Sequence, residues 1–385
     1  MTELSVKVDG VPAPILIETG YVVVRESTDF FLPSATLVFK DRLSGFVSHY
    51  PFMQDTEIEL GIDDGQSIKV HRFFAFSSKK EQNMEGVESF DIHLDMISKY
   101  SDPLLVESEF HSMRGTASDY IRYIAEKCGL RSDVEATKEV RSWINPNWKY
   151  SQMVRHLAQR SISSSGSGGY LYFVRGDGTL VFKSADKFFD EEEAIDLTVG
   201  SYEVVDGDET YVINNKQFTL KDNHFASVVL GNNSMETSIY DYMRGSRVVE
   251  TVRNDRFIKK RGAVKGISLG MDSMGIKRSE GVWYSDEVDF PSHMYKAIYN
   301  KVLRQLESNQ VVIMVPLKNE YKLGGVINLS VPANMDIFPG GVNLNHSGKY
   351  LIKAMNTVGH GDYMIKLVLV RPGISLPSER KVGYK

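Results

Sequence analysis

Residues 142–182 constrain the fold more than any other part of the chain; they read SWINPNWKYSQMVRHLAQRSISSSGSGGYLYFVRGDGTLVF. An aromatic-anchored turn leads into one short helix. That helix begins near Tyr150, with Ser151 as its expected cap and Met153, Val154 and Leu157 as its buried stripe. A Ser/Gly link follows. Segments 170–174 and 179–183 then pair across Gly176-Asp177-Gly178, residues that supply the backbone conformations of a tight turn. Nothing here is arranged for catalysis, and the stretch reads as a structural signature.

The flanking sequence reads as β. Segment 35–40 is a short apolar strand, and 56–62 (TEIELGI) places Ile58, Leu60 and Ile62 on one face and Glu57 and Glu59 on the other. A turn at Asp63-Asp64-Gly65 leads to a second strand at 67–77, and 89–97 alternates again. Short strands joined by turns point to a barrel or sandwich. A helix capped by Thr116 or Ser118 runs to about Lys127 and ends at Gly129, with Cys128 packed as a small hydrophobe. Asp190, Glu191, Glu192 and Glu193 read as a solvated loop face, 211–220 and 226–230 as strands, and 253–285 as a long connection. Ser292 is the expected cap of a third helix with Met294, Ile298, Val302 and Leu306 on one face. Strands at 310–315, 325–331, 348–355 and 363–371 close the chain.

Composition narrows the class. With 385 residues there is room for two or three domains. A net charge of -5 argues against a nucleic-acid binder, and one cysteine allows no internal disulfide, which fits a reducing compartment. No signal peptide and no membrane insertion by this chain are expected.

The sequence offers no catalytic, cofactor or metal residues. Residues 163–169 (SSSGSGG) lack the Gly-x-Ser-x-Gly spacing of a nucleophile elbow, and Gly348-Lys349 lacks the rest of a phosphate loop. Arg175-Gly176-Asp177 is explained by its hairpin turn. His71 and His93 read as surface histidines on neighbouring strands, and the basic cluster at 253–265 as a solvated loop or protein contact.

Three segments carry a resemblance: 148–158 (WKYSQMVRHLA), 170–182 (YLYFVRGDGTLVF) and 348–371 (GKYLIKAMNTVGHGDYMIKLVLVR), with Trp148, Ser151, Leu157, Gly178, Gly348 and Tyr350 as signature positions. In this order they resemble the baseplate hub proteins of contractile phage tails. That group shares structure with the tail protein D family and the N-terminal half of type VI secretion VgrG proteins. The implied fold is mainly β with α insertions (α+β): two similar β-barrel tube domains, a helical and hairpin insert, and a β-rich middle. The implied division is 1–110 for the first part of the first barrel, 111–205 for the insert and 206–255 for a region completing the first barrel or forming a middle domain. A connection at 256–290 leads to a second barrel at 291–385 that includes a helix at 292–308.

The resemblance implies a non-enzymatic homotrimer forming a pseudo-sixfold ring between a trimeric spike and a hexameric tail tube. Implied partners are the central spike protein, the tail tube protein, the tape-measure protein and the baseplate wedge, with genomic DNA passing through the channel without specific binding. The implied location is the virion baseplate, assembled in the host bacterial cytoplasm. The alternatives are a tail-associated cell-wall hydrolase, or a receptor- or glycan-binding tail-tip protein using Trp143, Trp148 or Trp283; Trp148 is otherwise expected as a core anchor. Candidate interface residues are Glu57, Ile58, Glu59, Leu60, Tyr363, Ile365, Leu367 and Leu369, on strands read as unmatched edges able to extend a sheet between subunits. Burial within the subunit is the alternative for the same residues.

Overall fold

Period-two alternation becomes strand and 3.6-residue periodicity becomes helix through most of the described residues. The computed structural model describes residues 3–13, 19–42, 56–82, 89–191, 194–198, 217–220, 235–241, 246–252, 279–284, 295–296, 298–300, 302–303, 306–307, 309–331, 346–360 and 362–372. The N-terminal part supplies β1 (Glu3–Val8), β2 (Val11–Pro12), β3 (Thr19–Ser27), β4 (Ser34–Arg42), β5 (Glu57–Asp63), β6 (Ile68–Gln82) and β7 (Ser89–Ser98). An insert follows: β8 (Ser108–Thr116), α1 (Ala117–Lys127), β9 (Arg131–Val134), β10 (Val140–Lys149), α2 (Tyr150–Gln159), β11 (Tyr170–Val174), β12 (Thr179–Ser184) and α3 (Ala185–Glu191). Next come β13 (Ile195–Thr198), β14 (Gln217–Leu220), β15 (Met235–Asp241), β16 (Ser246–Val252) and β17 (Ser279–Tyr284). The last strands are β18 (Asn309–Pro316), β19 (Val326–Ser330), β20 (Gly348–His360) and β21 (Asp362–Arg371). The fold is mainly β with helical insertions.

Strands from both ends of the chain share one sheet, in the order β14-β18-β21-β20-β3-β4-β7-β6-β5-β1-β2. The join is β20. Its first residues pair with β19, the register shifts between Ile352 and Ala354, and its second half pairs with β3 from Ala354↔Ser27 to Gly359↔Val22. Inward residues of both halves meet in one core, including Val22, Leu37, Ile58, Leu60, Leu94, Ile313, Ile365, Leu367 and Leu369. Each such side chain contributes roughly 1.5–3 kcal/mol by leaving water.

This topology corrects the edge-strand expectation. β5 lies between β1 and β6, and β21 lies between β20 and β18, so neither strand has a free edge. Ile58, Leu60, Ile365, Leu367 and Leu369 face the core inside the chain. Nor does β14 complete the N-terminal half, because it pairs with β18. The 253–285 connection contains β17, which pairs in parallel with β15; residues 253–278 and 226–230 lie outside the described residues. The acidic run begins inside α3, since Asp190 and Glu191 are helical.

Local chemistry sets the insert's helix ends. Thr116 caps α1: its hydroxyl accepts from the Asp119 amide at 3.2 Å, while the Asp119 carboxylate accepts from the Thr116 amide at 3.0 Å. Gly129 follows with φ +65°. Ser151 is not a cap; it sits in the first turn of α2, where Gln152 Oε1 accepts from the Lys149 amide at 3.2 Å. In the helix expected at 292–308 the described helical residues bury Tyr295, Tyr299, Val302 and Leu306, with Ile298 partly buried beside them. Ser292 and Met294 lie outside the described residues.

Candidate functional site

Two features of the insert stand out: the place where its hairpin turn meets the sheet, and the face it leaves open. The turn of β11–β12 is closed by the Gly178 amide donating to the Arg175 carbonyl at 2.9 Å. Gly178 holds φ +80° against Tyr100, a backbone region that a side chain would strain. The Gly176 amide then donates to Glu26 Oε1 at 2.8 Å. A Cβ on Gly176 would lie 2.2 Å from that oxygen and 2.3 Å from His71 Nδ1, so only glycine fits this approach.

Glu26 reaches this point because Val22, Val24 and Glu26 share the inward face of β3. Burial raises its pKa, but Lys69 (Nζ at 3.5 Å), His71 and the Gly176 amide outweigh that and hold it below the usual carboxylate value. Burial, followed by the Lys69 charge, pushes His71 down to about 4. His71 is therefore neutral near pH 7, and Lys69 and the Gly176 amide are what keep Glu26 ionised. This corrects the surface reading of His71, which is buried and stacks on Phe73; His93 is partly exposed beside Glu81.

Two further ties complete a three-way junction. Arg175 Nε donates to the Leu323 carbonyl at 2.9 Å. The Asn319 amide donates to Asp64 Oδ2 at 2.6 Å, and Asn319 Nδ2 donates to the Ser67 carbonyl at 2.6 Å. The turn between β5 and β6, the hairpin turn and the loop after β18 thus surround a cleft of about 210 Å3, which Glu26 and Asp177 both line. A glycosidase-type acid would need a raised pKa. Glu26 is shifted the other way, and its bond to Gly176, with those of Arg175 and Asn319, ties three segments together at the cleft.

The β8–β10 ribbon is different. Its inner face is clamped to the helices by Glu109, which accepts from the Tyr123 hydroxyl at 2.8 Å and from the Tyr150 hydroxyl. These two bonds, Tyr150's first, hold its pKa below the usual value. Trp143 is buried on the same face and donates through Nε1 to the Gly115 carbonyl at 3.1 Å. The outer face exposes Phe110 by 79%, Val140 by 65% and Ile144 by 64%.

Signature residues fall in several places. Leu157 and Tyr350 are buried, and the Arg371 guanidinium lies 4.6 Å over the Tyr350 ring. Gly348 opens β20 with φ +133°. Trp148 corrects the core-anchor expectation: it is 38% exposed and meets His156 edge-on, after a register shift between Pro146 and Lys149. Of the interface candidates, Glu59 pairs with Lys7 and Arg72, Glu57 with Lys99, and Tyr363 packs partly buried on the core. Sequence reasoning missed Glu26, Lys69 and Asn319; the Val-x-Val-x-Glu alternation at 22–26 was a usable signal for the first.

No family model matches the chain, and no curated protein matches it. Solved structures do match in fold. The 43 kDa tail protein of prophage MuSo2 from Shewanella oneidensis superposes with TM-score 0.63 at 12% identity, over 97% of this chain and 99% of that one. The tail protein of Neisseria meningitidis MC58 gives 0.60 at 15% identity over 97% of each chain. A chain of the Francisella PdpA–VgrG complex gives 0.51 at 8% identity, over 99% of this chain and 60% of that one. The chain therefore has the fold of prophage tail proteins, and the resemblance read from its motifs is borne out at the level of fold.

Proposed function

We propose that the chain is a structural baseplate hub subunit of a contractile tail. Three copies form a pseudo-sixfold ring that joins a trimeric spike to a hexameric tail tube and encloses the channel for DNA or effectors. The observation that carries this reading is the β3·β20 join, where two strand-rich halves of one chain meet edge to edge. Three chains supply six such halves, and repeating the join between chains closes a ring with the threefold axis common to spike and tube. In this reading residues 1–110 form the first part of one tube domain and 291–385 the second tube domain, with the insert between them. The tail fold supports a place in the virion baseplate, built in the host cytoplasm, with spike, tube, tape-measure and wedge proteins as neighbours. Glu26 carries a lowered pKa, opposite to that of a general acid, and the burial of Trp143 removes one aromatic from the glycan-binding reading, which keeps the exposed Trp148. Electron-microscopy class averages of the purified chain test the proposal: rings of six similar lobes are expected, and particles without a ring, together with release of fragments from purified peptidoglycan, would replace it with the hydrolase.

A further inference from the structure

We infer that the outer face of the β8–β10 ribbon docks a different protein, one whose docking surface has an apolar centre flanked by carboxylates. Of the exposed large apolar side chains in the described residues, Phe110, Val140, Ile144 and Trp148 lie on this ribbon and Val106 just precedes it; Ile68, Val70 and Phe76 lie on β6, and the rest are single. Among the described residues no third strand pairs with β8 or β10. An apolar ribbon face with two open edges invites aggregation unless a partner covers it.

Charge selects the occupant. In the ribbon's register Phe110 faces Pro146, Ile144 faces Ser112 and Val140 faces Thr116, all on the outer side. The charged residues on that side are both basic: Arg114 opposite Ser142, and Lys149 opposite Ser108. They lie roughly 20 Å apart at a strand's rise of about 3.3 Å per residue, on either side of Phe110 and Ile144, with Val140 one pair beyond Arg114. Neither makes an ion pair among the described residues. Two such faces packed together about a twofold axis would bring like charges into contact, which disfavours a ribbon-to-ribbon dimer. Nor do Glu57 and Glu59, outward on the chain's own sheet, offer a free complement, because they pair with Lys99, Lys7 and Arg72. A second protein with acidic residues on either side of an apolar strip fits.

The test places the photo-cross-linker p-benzoylphenylalanine at Phe110, in cells making the full chain from its own locus alongside the neighbouring genes. Exposed Gln66 serves as the control position. The expected product joins this chain to one other protein, at a peptide with Asp or Glu on both sides of an apolar segment. Arg114→Glu should lower its yield about tenfold with the melting temperature unchanged, and reversing the facing carboxylate to Arg should restore it. A product made of two copies of this chain, a yield no higher than at Gln66, or a yield indifferent to Arg114→Glu overturns the inference. The outcome does not depend on whether the chain forms a trimer.

Discussion

The β11–β12 hairpin and the β8–β10 ribbon are both antiparallel pairs in the same insert, yet they end in opposite environments. The hairpin is covered on both faces and along its β12 edge. β9 pairs in parallel with β12, Tyr170 and Phe182 enter the helical core, and Phe173 stacks on Phe188 beside Leu323 and Leu351 from the C-terminal half. The ribbon has cover on one side only, from α1 and α2, whose Tyr123 and Tyr150 bond Glu109 and whose core takes in Trp143. The difference lies less in the strands than in what packs behind them. The insert is fastened to the body by its hairpin and presents its ribbon.

The sharpest contrast is in truncation. Phe173→Ala should lose about 3–5 kcal/mol of stability by opening a cavity in a fully buried site, whereas Phe110→Ala should stay within about 0.5 kcal/mol. Equal losses in thermal melts would erase the distinction. Acid should loosen the hairpin's anchor. The folded pKa of His71, about 4, lies below its ordinary 6.5, so the unfolded chain binds more protons between those values and stability falls as pH drops through that window. The scale is on the order of 3 kcal/mol. Glu26 acts in the same sense, since its folded pKa is also lowered. Melting temperatures from pH 7 to pH 4.5 should show the decline, and His71→Gln should flatten it. Gly176→Ala should cost roughly 1–3 kcal/mol through overpacking against Glu26 and His71, with faster amide exchange in the hairpin turn and unchanged exchange in the ribbon. The smallest effect, about 1 kcal/mol in a denaturant titration, is expected from Thr116→Ala at the cap between β8 and α1.

Much of the fold was legible where periodicity is local. The alternation of β5 and β7, the hairpin over Gly176-Asp177-Gly178, and α1 with its Thr116 cap were all readable from neighbouring residues. The ribbon was not, because Pro146 and Asn147, the latter at φ +63°, interrupt β10 near its end and read as a turn. Trp148 followed from that error, since the register shift turns it outward. The junction was hidden for another reason. The bond from Gly176 to Glu26 spans 150 positions in sequence and that from Arg175 to Leu323 spans 148. No local pattern announces such contacts. Strand pairing was illegible in the same way: the alternation of β21 showed which side chains face inward, but not that β18 and β20 occupy both of its edges.

The ring reading rests on three chains joining as the two halves of one chain do. The most direct measurement is the solution mass of the purified protein, alone and with its adjoining spike protein. A particle of about 130 kDa, three chains of 43.4 kDa, is the predicted result; a chain that remains monomeric even with the spike protein present would contradict it.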